Sequence, residues 1–324
     1  MPQAGGSKPF RVVVHGLPHF CQKLSALLRG SQWKIHYQSK HDPLGLAVLA
    51  RNLHRCDLAY TWGGRISMGK FLSAARCLGK KKVVMLWSGS DVLYAKQELA
   101  WGKKSSWAAE RIHWAVSPWL AEEVRSMGLR CEYVQASFVD PVQDPLPLPG
   151  KFSVLVYVPS KDKSQLYGWD QVLEVACSLP SVTFTVVGLQ RGEDLSAPQN
   201  VKVHGWIGNL TPFLERTTVL WRPVQHDGLS FMVLEALAQG RHVLYSHPLP
   251  GCIHVQGATQ ARAELQRLLA LHEFRALQLN SDGMQAIACD YAPAKVQSEL
   301  LRRWEEIILS SGPRPLNELA VRGS

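Results

Sequence analysis

Short apolar runs, each followed by a glycine- or serine-containing turn and a helical pattern, recur on both sides of a proline-rich break in this chain. In the first half they lie at 11–14, 57–61, 82–87 and 112–116; in the second at 152–158, 183–187, 201–204, 219–221 and 242–245. Runs of this length without polar alternation suit strands covered on both faces, the condition of a parallel sheet. Parallel strands need helical crossovers, so the alternation predicts an α/β protein. Two doubly wound, Rossmann-like sheets are expected to face each other across a cleft, with ligands at the carboxyl ends of the strands. Between the halves, 140–150 carries four prolines. Such a segment makes neither helix nor central strand and reads as a stiff, extended linker. The expected domains are 1–147 and 148–292. They are followed at 293–324 by an amphipathic helix, with Val296, Leu300, Trp304, Ile307 and Ile308 on one side, and a tail. Residues 1–8 and 311–324, rich in Gly, Pro and Ser, read as frayed.

Composition adds two constraints. At 46% hydrophobic and 19% charged residues the chain has the balance of a soluble globular protein. No apolar run reaches membrane-span length, and the first ten residues lack a signal-peptide core. Seven cysteines, at 21, 56, 77, 131, 177, 252 and 289, form no C-x-x-C pair. That pattern predicts reduced thiols and a cytoplasmic location rather than disulfides or zinc. Charge is divided unevenly. Residues 1–150 hold 20 Lys and Arg against 10 Asp and Glu, a difference of +10, while 151–324 hold 16 against 16. The first half is therefore expected to meet something anionic, be it nucleic acid, an acidic membrane surface or a phosphorylated acceptor.

The segment from Trp221 to Gly240 carries the most chemistry. It reads as a buried strand end, a polar turn, then a helix stopped by glycine. Asp227 and Glu235 are separated by seven residues across the turn. Gly228 permits close backbone approach to a ligand, and Ser230 is placed to cap the helix. A helix N-terminus offers unpaired N–H groups and partial positive charge to a phosphate. Glu235, about one turn inside, tilts toward that end and reaches ligand hydroxyls. Phosphate together with sugar hydroxyls points to a nucleotide-sugar pocket. Arg222, at the strand end, either binds phosphate or pairs with Asp227.

This segment resembles the donor signature of retaining glycosyltransferases of the GT-B fold, the group-1, family-4-like branch. That pattern runs Glu, seven residues, Glu, then Ala-x-Ala-x-Gly and a buried strand. Here Asp227 takes the first acidic position and Glu235 the second, with Ala236, Ala238, Gly240 and Val243-Leu244-Tyr245 following. Asp in place of Glu is one methylene shorter. The resemblance extends over about residues 10–310 in order. Ser88-Gly89-Ser90-Asp91 looks like the acceptor-side Gly-Ser-Asp turn, where Asp91 would accept from an acceptor hydroxyl or cap the next helix. Gly16, between His15 and His19, lies in the loop that the family places beneath the donor phosphates. The unit from Ile112 through Gly128-Leu129 matches the first domain's last strand–helix unit.

In the second half the family pattern Gly-Arg, spacer, Lys-Gly becomes a loop with Lys161 and Lys163, then Tyr167-Gly168. Lys161 and Lys163 either neutralise a diphosphate or form an exposed basic loop, and Tyr167 stands where Lys is expected. His204-Gly205-Trp206 resembles the turn that holds the nucleotide base, so Trp206 either stacks on the base or packs in the core. In the family a last helix crosses back over the first domain. Residues 295–309 would do that or cap the second domain.

The resemblance implies transfer of a sugar from a nucleotide-diphosphate sugar to an acceptor hydroxyl, with retention and without a metal or other cofactor. Asp227 and Asp91 are the candidate catalytic residues. Donor binding is expected from Gly16, Lys161, Lys163, Gly205, Trp206, Arg222, Gly228, Leu229, Ser230 and Glu235. Alternatives are an inactive nucleotide-sugar-binding protein, motivated by the two departures, and a sugar-nucleotide epimerase on the same scaffold. No metal-ligand spacing, P-loop, nucleophile elbow or nucleic-acid motif is present. The expected partners are thus a nucleotide sugar, an unidentified acceptor (lipid-linked or anionic) and an acidic membrane at its cytosolic face. Nucleic acid is not expected. Lys80-Lys81-Lys82, and Lys103-Lys104 between Trp101 and Trp107, are the basic clusters that suit such a surface.

Overall fold

The computed structural model describes residues 9–28, 32–39 and 45–310. The chain divides into two compact units: one runs to Ala136 and resumes at Gln297, the other spans Ser137–Val296.

The first unit is a six-stranded parallel sheet. Its strands are β1 (Phe10–Gly16), β2 (Trp33–Ser39), β3 (Leu58–Trp62), β4 (Val83–Trp87), β5 (Ile112–Ala115) and β6 (Cys131–Tyr133), in the order β2-β1-β3-β4-β5-β6. Every residue of β3 and β4 is buried, as apolar runs in the middle of a parallel sheet must be. The crossovers are α1 (Pro18–Leu27), α2 (Gly45–Arg55), α3 (Lys70–Cys77), α4 (Ser90–Ala100), α5 (Ser106–Ala109) and α6 (Pro118–Ser126). Val13, Ala59 and Met85 from the sheet pack against Leu53 of α2 and Phe71 of α3.

The second unit repeats the plan. It comprises β7 (Ser153–Tyr157), α7 (Trp169–Ser178), β8 (Thr183–Leu189), β9 (Val201–Gly205), α8 (Thr211–Glu215), β10 (Val219–Arg222), α9 (Phe231–Ala238), β11 (His242–Tyr245), β12 (Ile253–His254), α10 (Gly257–Glu273) and α11 (Ser281–Ala286). The strand order is β12-β11-β10-β7-β8-β9, all parallel. Its core joins Val154, Val156, Phe184 and Trp221 of the sheet to Val172 of α7 and Leu265 of α10.

The proline-rich stretch belongs to this second unit. Arg241, fully buried, donates through its two terminal nitrogens to the carbonyls of Leu146 and Pro147 at 2.9 and 3.1 Å, and His272 bonds the carbonyl of Pro149 at 2.7 Å. The change of unit falls earlier, between Ala136 and Ser137.

The last helix, α12 (Pro293–Leu309), belongs to the first unit from Gln297 onward. Its amphipathic pattern explains the attachment. Trp304 is fully buried, with its ring 5.1 Å from Tyr60 and 6.0 Å from Trp33. Arg303 pairs with Glu132 at 3.0 Å. Lys82 caps the helix by donating to the Ile308 carbonyl, where a cation suits the negative end of the dipole.

Candidate functional site

In the second unit the polar groups gather where β10, β11 and β7 end. Arg222 is the last residue of β10 and lies opposite Tyr245, the last of β11. Its Nε donates to Asp227 Oδ2 at 2.5 Å, and the Tyr245 hydroxyl donates to the same oxygen at 3.0 Å. The Arg222 guanidinium also lies 5.5 Å from the ring centre of Tyr157 and 5.4 Å from that of Tyr167. Burial disfavours the Asp227 carboxylate, but the charge and hydrogen bond of Arg222, with help from Tyr245, outweigh it and hold its pKa below the ordinary value. Burial likewise works against the Arg222 charge, and Asp227 reverses it, so the guanidinium stays protonated. Of the two readings of Arg222, the ion pair with Asp227 is the one the structure realises.

Two turns meet at this cluster. Gly168 caps α7 in the left-handed region (φ 69°), and a Cβ there would lie 2.2 Å from the Pro223 carbonyl. Only glycine fits so close to the β10 exit. Gln225 N donates to the Leu166 carbonyl at 2.9 Å, tying the loops together. Tyr167, standing where the family pattern has Lys, therefore covers Arg222 with an aromatic face.

Beyond Asp227 the backbone at Gly228 and Leu229 is buried, and α9 starts at Phe231. Ser230 holds the N-cap position in extended backbone, but its hydroxyl makes no capping bond. Glu235 lies on α9 one turn in and is half-buried. Lys161 and Lys163 are exposed on a single 3-10 turn, which the Glu193 carboxylate fastens by accepting from Lys161 N at 3.0 Å. Gly205 ends the edge strand β9, and Trp206 beside it is 72% exposed, so the core-packing reading of this tryptophan does not hold.

In the first unit the strand ends surround a cavity of about 1160 Å³, lined by residues of the β1, β3 and β4 exits and of α3 and α4. Asp91 braces this rim. Its carboxylate accepts from the backbone N–H groups of Gly64 (2.7 Å), Ser88 (3.0 Å), Gly89 (2.8 Å) and Val92 (3.1 Å). Burial pushes its pKa above the ordinary value against the pull of these amides. Gly64 is fixed by space, since a Cβ would fall 2.0 Å from the Trp87 ring. Gly16 closes β1, and a Cβ there would lie 2.6 Å from the Trp62 carbonyl. His15 bonds Thr61 Oγ1 at 3.2 Å and stacks on Phe71 at 4.5 Å, whereas His19 is exposed beside Phe20.

The motifs left out Tyr157, Arg65 and Glu98, and placed Tyr245 in a buried strand without a role at the site. Each of the two tyrosines is the last residue of a buried strand, and that position is the only signal the sequence offers. Among the described residues no cluster of three or more His, Cys, Asp or Glu side chains is placed to hold a metal ion.

Two six-stranded parallel sheets with helical crossovers make a two-domain Rossmann-like architecture that matches the GT-B fold. No family model matches the sequence, and no curated protein does. Among solved structures the chain is similar to HepE of Anabaena in complex with UDP, at TM-score 0.65 and 12% identity over 92% of this chain and 100% of that one. It is similar to sucrose-phosphate synthase of Thermosynechococcus elongatus at TM-score 0.63 and 12% identity, over 92% and 99%. A glycosyltransferase of Rickettsia africae gives TM-score 0.64 and 10% identity, over 93% and 100%.

Proposed function

We propose that this protein transfers a sugar from a nucleotide-diphosphate sugar to an acceptor hydroxyl, with retention of anomeric configuration and without a metal. The observation that carries the reading is the β10–α9 turn. It puts Asp227, a buried Gly228–Leu229 backbone, a helix start and Glu235 at the carboxyl end of a central parallel strand. In this reading the second unit binds the donor. Glu235 accepts from the ribose hydroxyls, the exposed Trp206 stacks on the base, and the α9 N-terminus with Lys161 and Lys163 faces the diphosphate. Departure of the diphosphate builds negative charge, and preorganised donors at that point contribute about 3 kcal/mol each. Asp227, held anionic and rigid by Arg222 and Tyr245, positions the donor sugar. Gly16 keeps the β1 exit open, and Asp91 keeps the acceptor-side turn in shape. The basic first unit docks on an anionic membrane surface in the cytoplasm.

One observation favours a second reading, a nucleotide-sugar-binding protein without turnover: Arg222 is neutralised by Asp227 and covered by Tyr167. Titration calorimetry with UDP and UDP-sugars tests the shared premise. Binding is expected, and absence of heat with every nucleoside diphosphate removes both readings.

A further inference from the structure

The first-unit cavity has a chemistry that the donor does not explain. At about 1160 Å³ it exceeds the 300–1,000 Å³ or so of typical small-ligand pockets. Leu17, Met68, Phe71, Leu72 and Met85 line it, and it continues to Ala50 of α2 and Ala74 and Leu78 of α3. Its charged and hydroxyl groups lie on the strand-end loops, on α4 and at Lys70 and Ser73 of α3, and several of them are already engaged. Asp91 is bound to four amides, His15 to Thr61, and Glu98 to Arg65 at 3.1 Å and Ser67 at 2.6 Å. Against the apolar lining of Leu17, Met68, Phe71, Leu72 and Met85 the hydroxyls of a sugar would lack partners, at a cost that a hydrocarbon does not incur.

The rim carries a matching surface. Tyr94 lines the cavity and is 66% exposed. Seven residues on, and so on the same side of α4, Trp101 is 60% exposed with the Lys103 ammonium 4.8 Å over its ring. Aromatic rings paired with cations suit the boundary between an apolar chain and an anionic head.

We infer, resting on the glycosyl-transfer reading, that the acceptor is an amphiphile: its hydrocarbon chain enters this cavity and its polar head stays at the strand-end rim. The test is calorimetry with alkyl phosphates of four to twelve carbons, below their micellar concentrations, beside a separate titration with UDP. Affinity is expected to rise up to about fourfold per methylene while the chain still fills the cavity. Ala74→Trp and Ala50→Phe fill the cavity from its two helices, and thermal melts confirm their folding. Loss of the chain-length dependence in a folded variant, with UDP affinity unchanged, is the expected result. Equal affinity along the series, or a dependence that every folded variant keeps, overturns the inference. Failure of UDP to bind wild-type protein instead rejects the donor reading and leaves the alkyl result to stand on its own.

Discussion

Arg222 and Asp227, five positions apart on the two sides of the β10 exit, meet at 2.5 Å, and the oxygen they share also accepts from Tyr245. Both side chains are largely withdrawn from water, 7% and 14% exposed. Removing one partner strands the other charge, so Arg222→Met is expected to lower unfolding stability by about 3–5 kcal/mol. Arg222→Met combined with Asp227→Leu recovers most of that loss. The contribution is present above the ordinary carboxylate pKa and disappears as pH falls through the depressed value of Asp227. Denaturant titrations of wild type and of both variants check this. A single-variant loss no larger than the 0–1 kcal/mol or so of a surface pair would show the cluster to be loosely held.

Glu235→Ala is expected to weaken nucleoside diphosphate binding about ten- to a hundredfold, the cost of about 1.5–3 kcal/mol for a lost bond to a charged group. The half-buried position on α9 predicts little change in melting temperature. Unchanged affinity by calorimetry would remove Glu235 from the donor site.

His113 supplies a pH signature in the first unit. Trp87 Nε1 donates to its Nδ1 at 3.1 Å, and its Nε2 faces the Ala108 carbonyl at 3.1 Å. A carbonyl only accepts and an indole N–H only donates, so the ring is neutral with its proton on Nε2. Burial is the main cause that takes its pKa down to about 4. Between pH 6.5 and 4 the unfolded chain binds a proton that the folded one does not, so stability falls as pH falls through that window. The loss from this group between pH 7.5 and 4.5 is about 2–3 kcal/mol. His113→Gln flattens that part of the profile. A variant whose stability falls as steeply as wild type over this range contradicts the assignment.

Much of the fold is legible in the sequence because its inner strands are covered on both faces. The run at 82–87 becomes β4, buried at every residue, and 219–221 becomes β10. The strands that escape are β2, β6 and β12, and all three are sheet edges. β2 alternates Trp-Lys-Ile-His-Tyr, β6 has three residues and β12 two. At these three edges the apolar run is missing, so the signal is missing too, whereas the edge strand β9 keeps Val201 and Val203 and is legible. At the site, glycine spacing and the Asp227–Glu235 separation are readable because they are local. The ring of Tyr157, Tyr167 and Tyr245 around Arg222 is assembled across four segments, and no local pattern encodes it.

The +10 excess of residues 1–150 predicts binding to liposomes with acidic lipids and not to neutral ones, lost in high salt, since each cation near such a surface contributes about 1 kcal/mol. Among the described residues no helix is long and apolar enough to cross a membrane. Equal, negligible binding to both liposome types assigns the charge to a soluble anionic acceptor.

Retaining sugar transfer is read from the stereochemistry of the product. The protein is incubated in excess EDTA with a panel of nucleotide sugars and alkyl-chain acceptors. Products are identified by mass spectrometry, and their anomeric configuration is read from proton coupling constants. The expected product is a glycosylated acceptor with the donor's anomeric configuration, formed at a rate EDTA does not change. An inverted product, turnover that stops with EDTA and returns with a divalent ion, or an isomerised donor sugar with no acceptor modified would each contradict the proposed function.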